Sequence, residues 1–197
     1  MNVKHDKASV LRIGLGLFCN KGYNNLGVDE ICKVTGMTKG AFYNAFKSKE
    51  NFLNEAILLY GENNVKRINH QLQPKSGQSA LERLQAFYIN MLEAQPKVNF
   101  TGCFINNMMS EMGYKSEMIG DASKTEFDNF IKAIKPTVIE AQKNGEIKSE
   151  LDAKQLTELI HATFYGVLTI AKSTKDFNQS IHTINLLFQN LKRDTNG

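Results

Sequence analysis

The chain has 197 residues, 42% of them apolar and 22% charged, with three prolines and three cysteines, enough for one domain of ordinary size or a small head joined to a larger body. Its net charge of +4 resides in residues 1–50, where eight Lys/Arg face four acids while the remainder carries 16 of each, and a basic head on a neutral body is the footprint expected of a nucleic-acid binder. No apolar run approaches the roughly 18 residues that span a bilayer, and the start MNVKHDKASV lacks the apolar centre of a signal peptide, so a soluble cytoplasmic protein is expected.

Three cysteines, odd in number and scattered, argue against a disulfide framework or a zinc ribbon. His5, His70, His161 and His182 are isolated from metal-ligand spacings, so neither a metal nor a cofactor is expected.

Apolar spacing is helical nearly throughout, and the expected fold is all-α, with about nine helices. A three-helix head is placed at 1–47 and a helical body at 48–197. Within the head, Val28, Ile31 and Val34 form a short apolar stripe. Gly36 supplies a turn with positive φ, and Thr38 caps the next helix. That second helix buries Phe42 and Phe46 and turns Lys39, Gly40, Tyr43 and Asn44 outward. A cation, a bare backbone, a phenol and an amide at a helix N-terminus suit phosphate oxygens and base edges. Spacing alone is equally compatible with an ordinary surface helical hairpin.

A helix from about 48 to 70 follows, capped by Ser48, and residues 73–78 form a turn-rich linker. The stretch 80–94 carries Leu81, Leu84, Phe87, Tyr88, Met91 and Leu92 on one side, an amphipathic helix. Residues 96–102 break it, and a short helix starts directly after Gly102. A long helix over 116–143 contains Pro136, where a bend is expected, and Gly145 ends it. Asp152 and Gln155 have the spacing of a capping box opening a helix to about 172, and the last helix spans 177–192. These two end helices have wide apolar faces, including Leu159, Ile170 and Leu187, and Gly166 allows a close helix approach. A monomer core and a four-helix dimer interface both leave this pattern.

Over 10–53 the segments LGLFCNKGY and VDEICKVTGMTKGAFYNAFKSKENFL place Phe18, Gly22, Tyr23, Val28, Ile31, Gly36, Gly40, Tyr43, Phe46, Lys49 and Leu53 in one register. In this the chain resembles the DNA-binding domain of TetR-family transcriptional repressors. Two positions depart from the pattern: Leu26 and Gly27 stand where the family usually has Thr or Ser, and Ala45 stands where it usually has Tyr or His. Asn24 or Asn25 is a partial replacement for the missing phosphate anchor. The resemblance implies DNA contacts from Thr38, Lys39, Gly40, Tyr43, Asn44 and Lys49, with Lys49 at a phosphate. It also implies a homodimer through the last two helices, whose two recognition helices read a palindromic operator in double-stranded DNA.

The segment TGCFINNMMSEMG is similar to the corresponding region of a TetR subgroup close to the N-ethylmaleimide-responsive repressors, matching at Gly102, Cys103 and Asn106. In that subgroup the cysteine is associated with sensing electrophiles or oxidants. A thiol in the first turn of a helix gains from the dipole, whereas most free cysteines are small buried hydrophobes, the default reading for Cys19 and Cys32. His161 and Tyr165 are candidates to line a ligand or sensor pocket with Tyr88, Met91, Asn107, Phe87 and Phe127, although aromatic and Met residues at this spacing also serve as plain core.

The resulting expectation is a TetR-type DNA-binding regulator, a repressor released from its operator by a small-molecule or electrophile signal. Alternatives are a regulator that binds its ligand noncovalently, a helical adaptor, and a thiol-dependent enzyme using Cys103 with His161. The last is disfavoured because the chain has no phosphate loop, G-x-S-x-G or H-E-x-x-H motif.

Overall fold

The computed structural model describes residues 6–148 and 150–193; His5 and Lys4 lie outside them. Among the described residues are α1 (Lys7–Lys21), α2 (Val28–Thr35), α3 (Lys39–Phe46), α4 (Lys49–Gln71), α5 (Ala80–Glu93), a 3-10 turn (Gln95–Val98), α6 (Phe104–Met112), α7 (Glu117–Lys143), α8 (Ala153–Thr174) and α9 (Phe177–Leu191), with no strand. The all-α reading therefore holds, and the helix boundaries fall within a few residues of those expected. None of these helices is long and apolar enough to cross a membrane.

The chain divides into two compact units, residues 1–63 with 104–127, and residues 64–103 with 128–197. The boundary read from sequence, between 47 and 48, falls inside the first unit.

Aromatic side chains fill the first unit. Phe18, Phe42, Phe46 and Phe52 are each at most 2% exposed. Their rings approach to 4.7 Å for Phe46 and Phe52 and to 5.9 Å for Phe18 and Phe52. Truncating one such ring to Ala costs about 3–5 kcal/mol. Phe52 lies so close to α1 that a Cβ on Gly14 would sit 2.3 Å from its ring. Phe104 at the start of α6 extends this cluster, 6.5 Å from Phe18 and 5.4 Å from Tyr60.

Capping sets the starts of several helices. Asp6 accepts from Ser9 N, Thr38 from Ala41 N, and Ser48 from Asn51 N. The two-sided capping box forms at α5, where Ser79 Oγ accepts from Glu82 N and the Glu82 carboxylate accepts from Ser79 N. Asp152 caps α8 through its carboxylate, which accepts from Lys154 N and Gln155 N.

One expectation for the head needs correcting. Val34 is 51% exposed, and the buried face of α2 is Ile31, Cys32 and Thr35, with Val28 half-buried. A three-residue spacing drifts off a helix face within three turns, and the true stripe alternates threes and fours.

In the second unit, α5 packs against α9 and α9 against α8. Leu81, Leu84, Phe87, Tyr88 and Leu92 are buried as the amphipathic pattern demands, while Met91 is half-buried. Arg83, almost fully buried, donates to Glu140 at 2.6 Å and to Gln78 O at 3.1 Å. Helix α7 continues through Pro136 to Lys143, and Gly145 at φ +69 closes it. On α8 and α9 the apolar residues divide: Leu156, Ile160, Phe164, Val167, Leu168, Ile184 and Phe188 are buried, whereas Leu159, Ile170 and Leu186 are 43–56% exposed.

Candidate nucleic-acid interface and signal site

The turn between α2 and α3 depends on Gly36, whose φ of 72° and ψ of 12° lie in the left-handed region. Thr38 then starts α3, and burial of Phe42 and Phe46 on one side leaves Thr38, Lys39, Gly40, Tyr43 and Asn44 exposed on the other. Those five expected contacts thus share the first turns and outer face of one helix. A Cβ on Gly40 would meet nothing within 4 Å, so its bare backbone faces open space. Lys39 pairs with Asp29 at 2.7 Å, and this partner raises its pKa. The pair is exposed on both sides, so solvent screening leaves it worth little.

Lys49 is placed differently from its neighbours. Its ammonium donates to Tyr23 O and Leu26 O, both at 2.9 Å, and lies 3.9 Å from the centroid of the Tyr23 ring. Burial lowers its pKa, with Glu111 acting in the opposite sense. The two asparagines considered as substitute anchors are also engaged, Asn24 Nδ2 with Glu111 and Asn25 Nδ2 with Lys21 O. Gly27, the N-cap of α2, makes no side-chain cap bond, and Leu26 is fully buried.

Four of the expected sensor residues meet in the second unit. The Cys103 thiol donates to the Tyr165 hydroxyl at 3.6 Å. The Tyr165 ring lies 4.6 Å from that of His161, and His161 Nδ1 is 3.2 Å from the Tyr88 hydroxyl. Phe130 and Phe164 surround the imidazole at 6.3 and 5.9 Å. Burial drives the His161 pKa down to about 3 and pushes the Tyr88 phenol up, so both are neutral at pH 7.

The loop that delivers Cys103 is tightly held. Asn99, Phe100 and Gly102 have φ of 52°, 55° and 78°, Phe100 N donates to Gln95 O at 2.9 Å, and Gly102 N donates to Gln95 Oε1 at 3.0 Å. Two non-glycine residues in the left-handed region cost about 1–3 kcal/mol each. Met91 lies one turn along α5 from Tyr88, while Asn107 on α6 and Phe127 on α7 belong to the first unit. Cys32 is buried and Cys19 half-buried, and none of the three cysteines is in a disulfide. Among the described residues no group of three or more His, Cys, Asp or Glu is placed to hold a metal.

Sequence reasoning missed Glu111. Its carboxylate accepts from Tyr23 N, Asn24 N and Asn24 Nδ2, partners 87 and 88 residues away, and no local pattern marks such a pairing.

Residues 10–56 match the family described as bacterial regulatory proteins, tetR family, and residues 80–186 match the tetracyclin repressor-like C-terminal domain. The chain belongs to the TetR family of transcriptional regulators. Members of this family bind DNA and small-molecule ligands, form dimers and are not enzymes, which removes the thiol-enzyme reading. The TetR-family chain is 24% identical over 182 residues to the HTH-type transcriptional repressor DhaR of Mycobacterium sp. strain GP1, covering 92% of this chain and 90% of that protein. It is 24% identical over 196 residues to the HTH-type transcriptional repressor NemR of Escherichia coli K12, covering 94% and 96%. The crystal structure of the reduced form of E. coli NemR superposes with a TM-score of 0.85 at 21% identity, covering 98% of this chain and all of that one, and so shares the fold.

Proposed function

We propose that this TetR-type regulator is a cytoplasmic repressor, released from a palindromic operator by an electrophile or a small hydrophobic molecule acting at Cys103. The observation that carries the signal half is the connected set Cys103, Tyr165, His161 and Tyr88, a half-buried thiol hydrogen-bonded to a phenol at the edge of an aromatic core. Addition of the thiolate to an activated alkene forms one S–C bond and breaks the alkene π bond, whose electron pair moves to the neighbouring carbon and takes up the proton the thiol lost. The adduct adds bulk next to Tyr165, 3.6 Å from the thiol, and a shift of that ring would bias the regulator between two states.

DNA contact is assigned to Thr38, Lys39, Gly40, Tyr43 and Asn44. Lys49 supports the head through Tyr23 and Leu26 and has one remaining N–H for a phosphate. Dimerisation is assigned to the outer faces of α8 and α9. Leu159, Ala162, Thr163, Gly166 and Ile170 fall on one stripe of α8, and Leu186 is exposed on α9. A Cβ at Gly166 would meet nothing within 4 Å, which leaves room for a second helix to approach.

The test is to select an operator from random duplexes and measure its affinity with and without a panel of mild electrophiles and hydrophobic ligands. Release by at least one compound is expected. Affinity unmoved by every compound removes the signal-sensing half, and failure to enrich any duplex removes the operator.

A further inference from the structure

The turn between α1 and α2 is held from two sides by oppositely charged groups. Glu111 on α6 accepts from Tyr23 N and Asn24 N, both at 3.0 Å, and from Asn24 Nδ2 at 2.8 Å. Lys49 on α4 donates to Tyr23 O and Leu26 O. An anion therefore gathers the N–H groups of the turn and a cation gathers its carbonyls. Gly22 makes this possible: its φ is +74°, and a Cβ there would lie 2.8 Å from a Glu111 carboxylate oxygen. A second tether holds the same corner, because the Ser116 hydroxyl at the head of α7 donates to Glu50 in the first turn of α4. The clamped turn runs through Gly27 directly into α2, and Asp29 in the first turn of α2 pairs with Lys39 on α3.

We propose that Glu111 is a positioning residue for operator recognition, fixing the entry of α2 and hence the angle at which α3 is presented to the major groove. The inference rests on the DNA-binding role of the head and is independent of any reaction at Cys103. Glu111 acts through the backbone of Tyr23 and Asn24 and the Asn24 amide, and its charge also acts on Lys49.

Charge and position predict opposite signs. An anion in a basic head opposes DNA by simple Coulomb repulsion, so removing it without a positioning role strengthens binding to every duplex. The clamp predicts weaker binding to the selected operator alone. The variants are Glu111→Gln, which keeps one acceptor oxygen, and Glu111→Ala, which keeps none. With Ala the operator dissociation constant should rise about tenfold, the equivalent of one lost charge-assisted hydrogen bond. Gln should recover part of that loss, and affinity for a random duplex should stay level or increase. In the DNA-free protein, amide exchange at Tyr23 and Asn24 should accelerate about tenfold. Should Glu111→Ala fail to fold, Asn24→Ala removes one of the three bonds, and a smaller operator-specific loss is expected. Operator affinity unchanged or raised in Glu111→Gln and Asn24→Ala overturns the proposal, as does an equal loss on operator and random duplex.

Discussion

The Cys103 thiol donates to the Tyr165 hydroxyl across 3.6 Å, and the carrier of that hydroxyl packs its ring 4.6 Å from His161. The sulfur that attacks an electrophile has given up its proton, and the Tyr165 hydroxyl is then within reach to donate to it. Tyr165→Phe therefore slows modification of Cys103 by a quinone, about threefold to tenfold on the usual worth of one hydrogen bond. Intact-mass spectrometry over a time course reads the rate, and equal rates in wild type and variant would remove Tyr165 from the chemistry.

His161 predicts a pH dependence of stability. Its folded pKa is about 3, against 6.5 for an unperturbed imidazole. Between those values the unfolded chain binds a proton that the folded chain does not, so acidification favours unfolding. Stability is insensitive to this residue above about pH 6.5 and falls by about 1 kcal/mol per unit below it. Urea unfolding at pH 7.5 and 5.5 should give a lower free energy at pH 5.5, and His161→Gln should shrink that difference. A difference of the same size in the variant would assign the effect to other groups.

Lys39 and Lys49 are separable by salt. An exposed lysine that reaches a phosphate contributes about one unit to the slope of log affinity against log salt. Lys39→Ala should therefore lower the slope by about one. Lys49→Ala should weaken operator binding, through loss of its bonds to Tyr23 O and Leu26 O, while the slope changes by less than half as much. A full-unit change for Lys49→Ala would show that its remaining N–H does reach a phosphate.

Ile170 is 56% exposed in the single chain, on the stripe that contains Gly166. Placing a charge there leaves the monomer core untouched but is strongly unfavourable in an apolar interface. Ile170→Glu should shift sedimentation velocity toward monomer and weaken operator binding about tenfold or more, because a monomer engages one half-site. A dimer of unchanged strength would place the interface elsewhere.

The fold was legible because its signals are local. Period, caps and turn glycines belong to neighbouring residues, and Gly36, Thr38, Ser48 and Gly145 all act as their types require. The outer face of α3 was equally legible, since burial of Phe42 and Phe46 decides by geometry alone which side of the helix looks outward. Val34 shows the limit of spacing, because one residue more or less rotates a side chain by about 100° around a helix. Lys49 shows another limit: its place in the motif fixes its address, but its partners Tyr23 O and Leu26 O are set by a turn whose path depends on Glu111. Periodicity could not tell the covered face of α8 from its open one. Only packing of α9 and α5 reveals that Leu156 and Ile160 are covered while Leu159 and Ile170 are not.

The most direct measurement is operator affinity of wild type and Cys103→Ser, each with and without a mild quinone. Release of DNA by quinone in wild type, with Cys103→Ser remaining bound, is the predicted result. Release of both proteins, or of neither, would contradict a signal received at Cys103.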